Sequence, residues 1–262
     1  MEIKDYPINE HAQLTAYLQS TYPDQKLPAI LIVPGGSMTH IPTESSEKTA
    51  LRFNALGFQS LVLRYTFLSE QQPLLPQPIL DLAAAVIMVK MHREEWHLND
   101  QLTLLGFSAG GLIVSLYNDY WDSTWLTNQL GTHSAILKPS NAILGYPVID
   151  LDLGFPNDVD TLHQWTNDPE FYSASHHVTD ANVPTFLWAT MDDPLITVQN
   201  TINYSLALQA HQIPHEVHLF QHGPHGMTIA NPLAAKPNEP DHADPHVAHW
   251  IDLANEWLQS LT

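Results

Sequence analysis

The sequence predicts an α/β protein, a doubly wound and mostly parallel sheet flanked by helices. Three observations predict it. Short continuous apolar runs recur along the chain, as in strands buried on both faces. Between them lie longer stretches with apolar residues at helical spacing, the alternation that builds a parallel sheet covered by helices. The length, 262 residues of which 44% are hydrophobic and 14% charged, fits one large α/β domain. It excludes wholesale disorder, which goes with low hydrophobicity and high charge.

In chain order, residues 13–20 are a candidate outer strand, and 29–33 (AILIV), bounded by Pro28 and Pro34, the first central one. Residues 46–55 read as a helix and 60–65 (SLVLRY) as the next strand. After Pro76 and Pro78, the residues Ile79, Leu82, Val86 and Val89 repeat at helical spacing toward Trp96; proline suits a helix start because its missing N–H has no partner there anyway. Residues 102–105 (LTLL) are a strand, 108–120 a helix and 141–146 (NAILGY) a strand. The stretch 150–182 is irregular and rich in Asp, Asn and His. It is expected as a short cap-like insertion over the carboxyl edge of the sheet, roofing a pocket, within a single domain 1–262. A strand at 185–190 (TFLWAT), a helix at 198–212, a strand at 216–220 (EVHLF) and a helix at 246–261 complete the pattern. The proline-containing segment 232–245 is expected as exposed loop.

Charge narrows the partners. Lys and Arg number 9 against 28 Asp and Glu, a formal net charge of -19. That excess repels phosphate backbones and anionic lipid heads, which argues against nucleic-acid and membrane-surface partners. With no cysteine in the chain, disulfides, Cys-based zinc sites and thiol nucleophiles are excluded. The opening MEIKDYPINEHAQ has no basic region leading into an apolar one, and no apolar run approaches the roughly 20 residues of a membrane helix. A cytoplasmic protein is expected. A homo-oligomer is compatible with the sequence, which does not fix a subunit number.

The sharpest motif is Gly106-Phe107-Ser108-Ala109-Gly110, between the LTLL strand and the helix that follows. A serine nucleophile needs its hydroxyl exposed on a tight strand-to-helix turn, and flanking glycines let strand and helix close around it. The amide of Ala109 then points at a developing oxyanion, aided by the helix dipole. Pro34-Gly35-Gly36-Ser37 follows the AILIV strand, where a serine esterase carries its glycine-rich oxyanion loop. A carboxylate pair, Asp192 and Asp193, follows TFLWAT, and His222 and His225 follow EVHLF. Serine, acid, histidine in that order, each just past a strand, puts all three at one edge of a parallel sheet, where such folds bind ligands. The residues themselves leave open which aspartate and which histidine serve.

The chain resembles the α/β-hydrolase superfamily, within the acetyl esterases and carboxylesterases related to acetyl-xylan esterases. The matching stretches include ILIVPGG, LRYTF, LLGFSAGG, GYPVI, VPTFLWATMDDPL, HLFQHGPHG and PHVAHW. The resemblance implies Ser108 as nucleophile, His225 as base and Asp193 as acid, because Asp193-Pro194-Leu195-Ile196 corresponds to the family's D-x-V-V-P segment and His225 to the histidine of its G-x-H-G pattern. It implies Gly36, Ser37 and Ala109 as oxyanion donors, with Ser37 where relatives carry a third glycine. The expected substrate is a small-molecule ester with a short, acetyl-like acyl group, acetylated sugars among them. No cofactor and no metal are expected: His215 and His218, three apart on a strand, point to opposite faces. A lipase acting on longer esters and a non-catalytic binding protein of the same fold are the alternatives.

Overall fold

The computed structural model describes residues 1–261. The first hairpin pairs β1 (Glu2–Pro7) with β2 (Gln13–Leu18), and β3 (Leu27–Val33) leads into helix α1 (Thr43–Ala55). Strand β4 (Gln59–Arg64), helix α2 (Gln77–Met91), β5 (Leu98–Phe107) and α3 (Ala109–Tyr120) follow. Two short helices, α4 (Thr124–Leu130) and α5 (Ser134–Leu137), precede β6 (Asn141–Gly145), and α6 (Val159–Trp165) lies in the irregular stretch. The chain ends with β7 (Thr185–Thr190), α7 (Gln199–Ala210), β8 (His215–Phe220) and α8 (Trp250–Ser260).

All eight strands form one sheet in the order β1-β2-β4-β3-β5-β6-β7-β8. Only the β1–β2 and β2–β4 pairings are antiparallel; the rest are parallel. The doubly wound prediction therefore holds. Side chains alternate between two cores, as strand geometry requires. In β3, Ala29, Leu31 and Val33 face a core shared with α2, α3 and α7, whereas Ile30 and Ile32 face one shared with α1 and α8.

The differences from the sequence reading have local causes. Every residue of β1 is exposed or half-buried, so no apolar run announces it; its turn is held by Asn9 Oδ1, which accepts from the amides of His11 and Ala12. Strand β5 begins four residues before LTLL because its polar lead-in still pairs, Leu27 with Leu98. Helix α4 shows only in its caps: Ser123 Oγ accepts from Leu126 N, and Gly131 ends it at φ 59°, the left-handed stop that favours glycine.

Residues 150–182 pack sideways. Their backbone accepts from Leu74 and Leu75 at the carbonyls of Gln164 and Trp165, both 2.9 Å. Trp165 is fully buried, and Phe171 stacks on Tyr120 at 5.0 Å. The apolar residues of this stretch are thus used on the α2–α3 layer.

Parallel register aligns the strand ends. Val33 pairs with Gly106, Phe107 with Gly145, Gly145 with Trp188 and Thr190 with Phe220. The loops after β3, β5, β6, β7 and β8 consequently open on one edge. No helix among the described residues is long and apolar enough to cross a membrane.

Candidate active site

Ser108 sits between β5 and α3 at φ 52°, ψ -122°, a backbone conformation that costs a non-glycine residue of order 1–3 kcal/mol. The surroundings hold it there. Its amide donates to Gly145 O at 3.2 Å, and its carbonyl accepts from Gly111 N and Val148 N. The flanking glycines are steric necessities. A Cβ on Gly106 would lie 2.6 Å from Gly110 O, and one on Gly35, in the facing loop, 2.9 Å from Ser108 Cβ.

His225 Nε2 lies 2.8 Å from Ser108 Oγ, and its Nδ1 lies 2.7 Å from Asp193 Oδ2. The Asp193 side chain is 1% exposed and that of His225 14%. The second carboxylate oxygen, Asp193 Oδ1, accepts from Leu195 N and Ile196 N, so both lone-pair sides of the buried acid are engaged. A perpendicular Tyr146 ring packs on the His225 imidazole with centroids 4.9 Å apart. Burial drives the Tyr146 phenol far above its ordinary pKa, so it stays neutral.

The other aspartate and histidine form a pair of their own. Asp192 Oδ2 meets His222 Nδ1 at 2.8 Å, and Asp192 Oδ1 accepts from Gly223 N at 2.9 Å. The His222 bond and the Gly223 amide hold the Asp192 carboxyl below the usual range. This pair is exposed and does not reach Ser108. His215 and His218 go different ways: His215 bonds Ser205 Oγ and the Ile213 carbonyl, while His218 bonds Glu216 and stacks on Phe186.

In the loop after β3, Gly36 has φ 120° and Ser37 φ 53°. A Cβ on Gly36 would fall 1.9 Å from His40 O, so only glycine fits. Among the described residues, no acceptor takes the amides of Gly36, Ser37 or Ala109. Gly36 and Ser37 line the same cavity as Ser108, and Ala109 follows Ser108 directly at the start of α3.

A cavity of about 580 Å³ adjoins Ser108 and His225. Ile32, Phe107, Tyr146 and Leu195 supply apolar wall; Ser45, Thr49, Asn238, Glu239 and Asp241 supply polar wall. No residue of 150–182 lines it, and the expected roof is instead built by the segment between the His225 loop and α8, from Ala234 to His242. The physical reason is the sideways packing described above. Tyr146 and this segment are the site features that the sequence reading missed. Tyr146 ends a run that reads simply as strand, and the prolines of 232–245 read as exposed loop.

Comparison with known proteins decides the family. The BD-FAE family model matches residues 14–208. The chain belongs to the BD-FAE family of α/β-hydrolases. The BD-FAE family is a family of hydrolases. Among solved structures it is similar to the carboxylesterase Cest-2923 from Lactobacillus plantarum, at 30% identity and a TM-score of 0.92, covering 100% of this chain and 98% of that one. It is also similar to an acetyl ester-xyloside bifunctional hydrolase from Caldicellulosiruptor lactoaceticus, at 26% identity and a TM-score of 0.81, covering 98% and 96%. A curated relative, endo-1,4-beta-xylanase B from Butyrivibrio fibrisolvens, is 29% identical over 225 residues, 83% of this chain. The chain spans 35% of the length of that relative.

Proposed function

We propose that the chain is a serine carboxylic-ester hydrolase acting on short-acyl esters, acetylated sugars among them. The unbroken hydrogen-bonded line from Ser108 Oγ through His225 to Asp193, 2.8 Å and 2.7 Å, carries this reading. His225 takes the Ser108 proton as the oxygen attacks the ester carbonyl, and buried Asp193 holds the imidazole in the tautomer that can receive it. The amides of Ala109, Gly36 and Ser37 stabilise the tetrahedral oxyanion. Collapse expels the alcohol, protonated by His225. Water, deprotonated by the same imidazole, then releases the carboxylate from Ser108. No step calls for a cofactor.

Two named neighbours, a carboxylesterase and an acetyl ester-xyloside hydrolase, support the ester class. The mixed polar and apolar cavity supports a small acyl group with a polar alcohol. A fluorophosphonate probe tests the nucleophile: labelling is expected at Ser108, with labelling and ester turnover both abolished by Ser108→Ala. Full turnover in Ser108→Ala overturns the reading.

A further inference from the structure

His225 stands on the loop that follows β8. Glycines flank it at 223 and 226, with Gly226 at φ 87°, a conformation that favours glycine; Pro224 fixes only its own φ, so the placing of this turn depends on what its two ends bond. Resting on the serine-hydrolase reading above, we propose that two side chains outside the reacting line, Asp192 and Tyr146, position His225 by fastening its loop at both ends.

The upstream fastening is Asp192. Its Oδ1 accepts from Gly223 N at 2.9 Å and its Oδ2 meets His222 Nδ1 at 2.8 Å. Asp192 adjoins Asp193 in sequence, so one rigid turn carries both the acid that bonds the imidazole and the acid that fastens its loop. Thr190 Oγ1, donating to Gly223 O at 2.8 Å, and Met191 N, donating to Phe220 O at 2.8 Å, complete the seam between the two loops. The downstream fastening is Tyr146. Its hydroxyl oxygen accepts from Thr228 N at 3.1 Å, three residues past His225, while its ring stands perpendicular to the imidazole at 4.9 Å between centroids. Tyr146 itself is anchored by its amide on Trp188 O at 2.7 Å and is 4% exposed.

Such fastening acts on the geometry of proton transfer. A displacement near 1 Å at the reacting group can cost about 100-fold in rate; loosening one of two fastenings should cost less, roughly tenfold. The expected signature is a fall in kcat with KM little changed.

The experiment compares Asp192→Ala, Asp192→Asn, Tyr146→Phe and Ser108→Ala. It measures kcat and KM with p-nitrophenyl acetate and the rate of fluorophosphonate labelling, far below the melting temperature of each variant. Asp192→Ala and Tyr146→Phe should each lose roughly tenfold in kcat and in labelling rate. Asp192→Asn keeps an acceptor for Gly223 N and should recover most of that loss. Wild-type kcat and labelling rate in both Asp192→Ala and Tyr146→Phe, with Ser108→Ala inactive, overturns the positioning proposal and leaves the nucleophile intact. An Asn variant as slow as the Ala variant also overturns it, because the acceptor would then be irrelevant. Activity retained by Ser108→Ala overturns the underlying reading instead.

Discussion

Gly110 lies against Val33: a Cβ on Gly110 would be 2.1 Å from the Val33 carbonyl oxygen and 2.5 Å from that of Pro34. Both obstacles are backbone, so no side chain can swing aside. The glycine that closes the serine motif is there because α3 begins in direct contact with the end of β3. This contact also sets the distance between Ser108 and the Gly36–Ser37 loop. Gly110→Ala must push the two apart. It is expected to cost about 3 kcal/mol, the upper part of the overpacking range. That corresponds to roughly 6–12 °C in Tm for a chain of this size, with loss of ester turnover beyond what unfolding explains. Calorimetry and kcat at 25 °C check both; a variant with unchanged Tm would contradict the contact.

The two adjacent aspartates should part company in kinetics. Asp193 is buried and bonds the imidazole that reaches Ser108, whereas Asp192 is exposed and bonds His222. Asp193→Asn is expected to lower kcat on the order of 10⁴-fold, by favouring the wrong imidazole tautomer. Asp192→Asn should cost far less. Steady-state rates decide, and a larger loss at position 192 would reverse the assignment.

Asp119 makes stability depend on pH. Burial raises its carboxyl well above the usual range, although Asn182 and Tyr204 both donate to its Oδ1. Its Oδ2 is buried with no partner. The folded protein therefore holds this proton at pH values where the unfolded chain, with a carboxyl pKa of about 3.9, has released it. Fewer protons on the unfolded state mean that stability falls as pH rises. The contribution is full below the unfolded pKa and is lost as pH climbs through the raised folded one. Urea titrations should show the stability of Asp119→Asn minus that of the wild type shifting in favour of Asn as pH rises above the unfolded carboxyl pKa of about 3.9. A pH-independent difference would refute this.

Acyl length should be rewarded only briefly. Each buried methylene contributes about 0.8 kcal/mol, near fourfold in kcat/KM, so a deep apolar channel would give a steady climb. Apolar wall at Ile32, Phe107 and Leu195 gives way to Ser45, Thr49, Asn238 and Glu239 in the same cavity. Among p-nitrophenyl esters, acetate to butyrate should be best, with little turnover beyond octanoate. A kcat/KM still rising at dodecanoate would make the enzyme a lipase.

Much of this arrangement is legible from residue order because strand ends, not distant contacts, carry it. LTLL followed by GFSAGG fixes a strand, a turn and a helix, and parallel register does the rest. Asp193 and His225 are harder, since each has a near twin one or three residues away. Only the fold shows that Asp192 turns outward to His222. The contact of Tyr146 with His225 was invisible, because it depends on where the chain returns after 78 residues of intervening structure. The stretch 150–182 misled for a general reason: Trp165 and Phe171 announce that something will be covered without saying what.

The wall from Ala234 to His242 belongs to no strand, and it follows the last residue of the reacting line in the chain. Apart from Ala234, which is buried in the core shared with α1 and α8, it lies outside the strands whose register aligns the ends of β3, β5, β7 and β8. Under the proposed ester-hydrolase reading, exchanging this stretch between relatives is expected to change ester preference while Ser108, His225 and Asp193 stay in place. Surface connections of this kind tolerate insertion and exchange better than the elements they join. For an engineer it is the first place to diversify in a library, and the strand-end glycines are the last.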